Sequence, residues 1–159
     1  MSNRCIGPEG FGAFMDEVQD RVRFALIAGH GPELGTEAAA DALAYAWEHW
    51  DRVKTMDNPA GYVYRVGQRL AMHERRRQLR RPPVFPPPPS NPPSVEPGLP
   101  KALERLSERQ RVSVFLVHGL GYSYQEVADL LGVAKGTVQS YVERGLSKLR
   151  RSMGVVVDV

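Results

Sequence analysis

Between Lys135 and Arg144, side chains with several kinds of hydrogen-bonding group are interleaved with valines. Once Val138, Val142 and Leu146 are assigned to a buried face at helical spacing, Lys135, Thr137, Gln139, Ser140, Glu143 and Arg144 are left on one outer surface. Such a set can read base edges: Arg144 suits guanine, Gln139 adenine, Ser140 either, and Glu143 can accept from a cytosine amino group. Lys135, Lys148, Arg150 and Arg151 suit phosphate oxygens. Glu143 is the awkward member, because a carboxylate repels phosphate unless it accepts from a base or pairs with Arg144 or Lys148. A second charged stretch places Arg65, Arg69, Arg75, Arg76, Arg77, Arg80 and Arg81 against a single acid, Glu74. Arg65, Arg69, Arg76 and Arg77 can track phosphates, while Tyr62, Tyr64, Trp47 and Trp50 can either stack on exposed bases or fill a core. Core filling suits most of these aromatics better, since Tyr62 falls on the apolar side of its helix. His73, among arginines, reads as a polar surface residue.

These residues need rigid elements to present them. Ser123 and Glu126 have capping-box spacing ahead of Val127, Leu130 and Leu131, and Gly132 can end that short helix at positive φ. A last helix follows from about Ala134 to Arg151, with Val138, Val142, Gly145, Leu146 and Leu149 inward. Ala128 is small enough for close helix approach, and Val133 and Val138 can plug the angle between the two helices. Together these are the parts of a helix-turn-helix, whose first helix crosses the DNA backbone while the second enters the major groove. A plain helical hairpin with a solvated polar face is the competing reading. Upstream, Ser107 and Gln110 form another capping-box pair before Val112, Phe115 and Leu116, and Leu99 to Leu106 can make a short helix.

In the first half, Phe11, Phe14, Met15, Val18, Val22, Ala25 and Leu26 recur at helical spacing until Gly29, Gly31 and Pro32 interrupt. Thr36 is placed to cap a second, alanine-rich helix that ends at Trp47 and Trp50. Asn58 followed by Pro59 opens a third, carrying Tyr62, Val63, Val66 and Leu70 inward and running through the arginines to Pro82. Residues 82–98 are proline-rich and suit a semi-rigid spacer. The predicted fold is therefore all-α, with two small helical domains, 1–81 and 99–159, joined by the linker 82–98. The chain has 159 residues, 42% hydrophobic and 25% charged, with net charge +3; this is a globular composition too mildly basic to establish a nucleic-acid partner by itself. Cys5 is the only cysteine, which excludes an intrachain disulfide. With no membrane-length apolar run and no signal-peptide pattern, the expected location is cytoplasmic.

No phosphate-cradling glycine loop, metal-ligand spacing or local nucleophile motif is present, so no enzyme, cofactor, metal site or small-molecule substrate is expected. The segment LPKALERLSERQRVSVFLVHGLGYSYQEVADLLGVAKGTVQSYVERGLSKLR resembles region 4 of the extracytoplasmic-function sigma factors of bacterial RNA polymerase, through its Leu-Ser-x-x-Gln-Arg opening and its Gly-Thr-Val-x-Ser run. NPAGYVYRVGQRLAMHERRR resembles their region 2 more loosely. By that resemblance, Gln139, Ser140, Glu143 and Arg144 meet the minus-35 element, with Lys135, Thr137 and Lys148 beside them. Arg65, Arg69, His73, Arg76 and Arg77 meet the minus-10 element, and Asp41, Tyr45 and Glu48 face the polymerase. The implied partners are promoter DNA, core RNA polymerase and an anti-sigma protein. The family commonly carries asparagine and aspartate where this chain has Arg69 and His73, and often arginine at Tyr141. A stand-alone helix-turn-helix regulator and a sigma-like adaptor that does not melt DNA are the alternative functions.

Overall fold

The computed structural model describes residues 7–80 and 98–154; the linker expected at 82–98 lies almost wholly outside them. Eight α-helices run in chain order: α1 (Phe11–His30), α2 (Pro32–Glu48), α3 (Trp50–Val53), α4 (Pro59–Arg80), α5 (Leu99–Glu104), α6 (Glu108–Val114), α7 (Tyr124–Leu131) and α8 (Lys135–Ser152). A π-turn, Phe115–Gly119, extends α6, and there is no strand among the described residues. The all-α expectation holds.

Helix starts are set by different chemistry in the two halves. Ser107 and Ser123 each accept from the backbone of the third helical residue, while Gln110 and Glu126 reach back to the serine amides, completing both expected capping boxes. Gly132 ends α7 at φ 67°, where a side chain would be strained. Asn58 Oδ1 accepts from Gly61 N at 3.0 Å, so Asn58 and Pro59 open α4 as expected. The start of α2 differs from expectation. It begins at Pro32, directly after Gly31 at φ 92°, and Thr36 lies inside the helix, donating its hydroxyl to Pro32 O at 2.6 Å. Proline supplies a preset φ and needs no amide partner in the first turn, so it outcompetes the later threonine as a start.

The helices α1, α2 and α4 form one bundle and α5 to α8 another, but a single apolar core runs through both. Val22, Ala25, Leu26, Ala42, Val63 and Ala71 belong to the same buried cluster as Val112, Leu116, Val127, Leu130, Val138 and Val142. A smaller cluster of Ala102, Leu106, Val114 and Leu149 fastens α5 to α6 and α8. Of the aromatics left open by the sequence, Tyr64 and Trp50 are core. Trp50 meets Phe11 edge-on and donates its indole N–H to Glu9 O at 2.8 Å. Tyr62 is half-buried, and Trp47 is exposed.

Candidate nucleic-acid interface

The recognition face is built by what α8 gives to the core. Val138 and Val142 are buried, and Gly145 lies so close to α6 that a Cβ there would fall 2.7 Å from a Val114 methyl. Ala128 is fully buried in α7, and Val133 sits half-buried at the turn, as the motif requires. On the opposite side, Lys135, Gln139, Glu143, Arg144 and Lys148 are exposed, and Thr137 and Ser140 are half-buried at the edge. The predicted reading set is therefore brought onto one surface.

Two members are partly committed. Ser140 donates its hydroxyl to Gly136 O at 3.2 Å, leaving only its oxygen lone pairs for a base. Lys148 Nζ donates to Gln110 Oε1 at 3.1 Å, so this ammonium is held against α6. Glu143 forms no ion pair among the described residues, with Arg144 or with Lys148. Its carboxylate is free to accept from a base. Sequence reasoning passed over Arg109, which donates to the Tyr141 hydroxyl at 3.2 Å and puts a further cation beside the recognition helix.

Along α4, helical geometry advances about 100° per residue, so Arg65, Arg69, His73, Arg76 and Arg80 fall on one stripe. All five are exposed. Arg77 is exposed too, but it stands at the edge of the stripe and is paired with Glu74 at 3.1 Å. The stripe borders a groove of about 680 Å³ lined by Asp41, Tyr45 and Glu48 from α2 and by Tyr62, Arg69, Leu70 and His73 from α4. Residues expected to serve different partners thus share one groove. At its end, Arg52 donates to the Tyr45 hydroxyl at 2.7 Å and the Tyr62 hydroxyl at 3.0 Å, another link the sequence did not suggest. The hydrogen bond with Tyr62 lowers the Tyr45 phenol pKa against the opposing effect of burial, with the Arg52 charge helping.

With this geometry in place, likeness to known proteins becomes specific. The family model described as Sigma-70, region 4 matches residues 98–149. This match spans about a third of the chain. Over this part the chain is similar to the ECF RNA polymerase sigma factor SigM of Mycobacterium tuberculosis, 44% identical over 54 residues, which are 34% of this chain and 28% of that protein. It is likewise 44% identical over 48 residues to the ECF RNA polymerase sigma factor EcfG of Rhodopseudomonas palustris, covering 30% of this chain and 26% of that one. The matched part is thus under a third of either relative's length. The whole fold is similar to that of the sigma factor RpoE in complex with the anti-sigma factor NepR from Bartonella quintana. The TM-score is 0.61 at 22% identity, covering 94% of this chain and 100% of that one. The match to region 4 falls on α5 to α8, with α7 and α8 as the helix-turn-helix pair. The α1 to α4 half has its counterpart in the sigma-factor fold. No helix among the described residues is long and apolar enough to cross a membrane.

Proposed function

We propose that this chain is a sigma factor that binds core RNA polymerase and directs it to promoters, a cytoplasmic binding protein and not an enzyme. Residues 1–81 and 99–159 act as two promoter grips, and 82–98 spans the gap between them. The observation that carries the reading is the region 4 helix-turn-helix, whose polar face is free of core duties and holds arginine, glutamine and a carboxylate in reach of base edges. Arg144, Gln139, Ser140 and Glu143 read the minus-35 duplex, with Lys135, Thr137 and Lys148 at its border. Arg65, Arg69, His73, Arg76 and Arg77 follow the minus-10 strand, and Asp41, Tyr45 and Glu48 serve the polymerase side of the shared groove. An anti-sigma protein is a further partner on this reading; the structurally similar RpoE is seen with one.

The test is transcription from a genomic fragment library by purified core polymerase with and without this chain. New start sites that depend on the chain are expected. Their absence at every permissive salt concentration would sink the sigma reading. Tight binding to palindromic duplex without polymerase would point instead to a stand-alone regulator.

A further inference from the structure

The first turn of α6 sends its polar side chains in two directions. Glu108 and Arg111 turn towards α1 and α4 and make a polar seam with the other half of the molecule. Arg111 Nε donates to Ala28 O at 2.6 Å and its Nη2 to Gly29 O at 2.8 Å, while Glu108 Oε1 accepts from Gln68 Nε2 at 2.9 Å and lies 3.2 Å from His30 Nε2. Arg109 and Gln110 turn instead towards α8. Arg109 Nη1 donates to the Tyr141 hydroxyl at 3.2 Å, and Gln110 Oε1 accepts from Lys148 Nζ at 3.1 Å. Thr137, Tyr141, Arg144 and Lys148 recur at four, three and four residues, so at about 100° per residue they share one stripe, the edge of the outer face of α8 that borders α6. Glu143 lies about 100° round the helix from Arg144 and further from the other three, so no acid shares the stripe. Arg109 adds a guanidinium from α6 to this edge. It is exposed, and no carboxylate is paired with it among the described residues.

We propose that Arg109 binds a backbone phosphate of the duplex and that Tyr141 is its positioning residue, the phenol oxygen holding one guanidinium N–H and aiming the others at the groove wall. The proposal rests on the reading of α8 as the helix that enters the major groove. A helix seated there turns its outer face to the bases and its edges to the phosphates on either side. The stripe of Thr137, Tyr141, Arg144 and Lys148 is one such edge. A guanidinium is a planar fork of five donors. With Nη1 spent on Tyr141, the Nε and Nη2 side remains as a parallel pair of donors, the arrangement that grips two phosphate oxygens at once. A phenol suits the holding role better than a carboxylate would, because it fixes the direction of the fork without cancelling its charge. Fixing that direction before the duplex arrives also reduces the side-chain freedom lost on binding.

The test is binding of the full-length chain to a duplex selected on it from a random library, followed by fluorescence anisotropy over a series of salt concentrations. Arg109→Ala should weaken binding about tenfold at low salt. The loss should be the same on the selected duplex and on its single-base variants, and the slope of log affinity against log salt should fall by about one. Tyr141→Phe keeps the charge but frees the fork. It should weaken binding about threefold in the native background and have no effect beside Arg109→Ala. Combining Arg109→Ala with Tyr141→Arg, which supplies a cation to the same edge from α8 itself, should restore the slope. A merely structural pair would shift the urea midpoint and leave the salt slope alone. Should Arg109→Ala lose helical circular dichroism, Arg109→Gln takes its place, keeping a donor for Tyr141 without the charge. An unchanged slope overturns the phosphate contact, and so does a loss confined to one base pair, which would make Arg109 a base reader. Equal effects of Tyr141→Phe in both backgrounds overturn the positioning role. A wild-type chain that binds no duplex at the lowest salt overturns the proposal together with the reading of α8. The expected slopes from a chain that directs no initiation would instead sink the sigma reading and leave the contact standing.

Discussion

In the C-terminal half, α6 and α7 begin at serines whose side chains complete capping boxes, whereas α1 and α2 in the other half start at glycines that offer no side-chain cap. In the α1 to α4 half the helices approach one another very closely. A Cβ at Gly35 would lie 2.5 Å from the Ile27 backbone, and one at Gly67 would lie 2.5 Å from a Leu26 methyl. The starts of α6 and α7 are specified by neighbours in the chain, whereas the packing of α1, α2 and α4 is specified by neighbours in space. Locally specified elements tolerate tertiary change better, and tertiary contacts that join backbone to backbone tolerate almost none.

The largest expected effect tests that contrast directly. Gly35→Ala gains about 1 kcal/mol of helix propensity, but the methyl meets rigid helix backbone and costs about 3 kcal/mol or more. The clash should win, and urea unfolding should show a clear net loss of stability. A stabilised variant would break the comparison, because α1 and α2 would then be free to separate. Next in size, Arg144→Ala should cost about 1 to 3 kcal/mol on the preferred duplex and relax preference at one base pair, whereas Arg76→Ala should weaken binding evenly and reduce the salt slope by about one. Selection from random duplex libraries distinguishes the two. An even loss with Arg144→Ala would move that residue from base reading to phosphate contact.

Smaller again, Ser123→Ala should cost about 1 kcal/mol through the lost cap. Thr36→Ala should cost much less, since Thr36 bonds within its own helix and is not the cap of α2. Equal losses in thermal or urea unfolding would restore Thr36 as a start signal and remove the distinction between the halves.

The same contrast explains what could be read from the sequence. The boundaries of α6, α7 and α8 and the outward face of α8 were legible because a cap, a turn glycine and a valine period all act within a few residues. At α2 two local signals competed, and Pro32 prevailed over Thr36. The polar seam was hidden for another reason. Its contacts link residues 40 to 83 apart in sequence, and neither Arg111 nor Glu108 breaks the helical pattern around it. A basic residue beside the apolar run Val112 to Leu116 was the one available hint. The groove shared by Asp41, Glu48, Arg69 and His73 was equally unreadable, because helical period places residues on a face but does not say which other face it meets. Arg52 was missed similarly: only the fold brings it to both tyrosine hydroxyls.

The smallest prediction concerns the seam that joins the halves. The neighbouring His30 holds the Glu108 carboxyl below its ordinary pKa of 4.5 against the opposing effect of partial burial, with help from Gln68 and Arg111. A depressed folded-state pKa stabilises the fold above the unfolded value, and this stability is lost as pH falls through the folded value. Wild type should therefore exceed Glu108→Gln in urea midpoint by a constant margin near neutrality, and the margin should shrink on acidification below 4.5 and then vanish. Tyr64, whose phenol burial pushes upward, stays neutral throughout that range and cannot produce the change. Glutamine retains an oxygen for Gln68 but loses the charge facing His30 and Arg111, so the margin isolates the charge. A margin that stays flat through acid would mean that Glu108 acts only as a neutral acceptor, leaving Arg111 as the one charged tie between the halves that contributes.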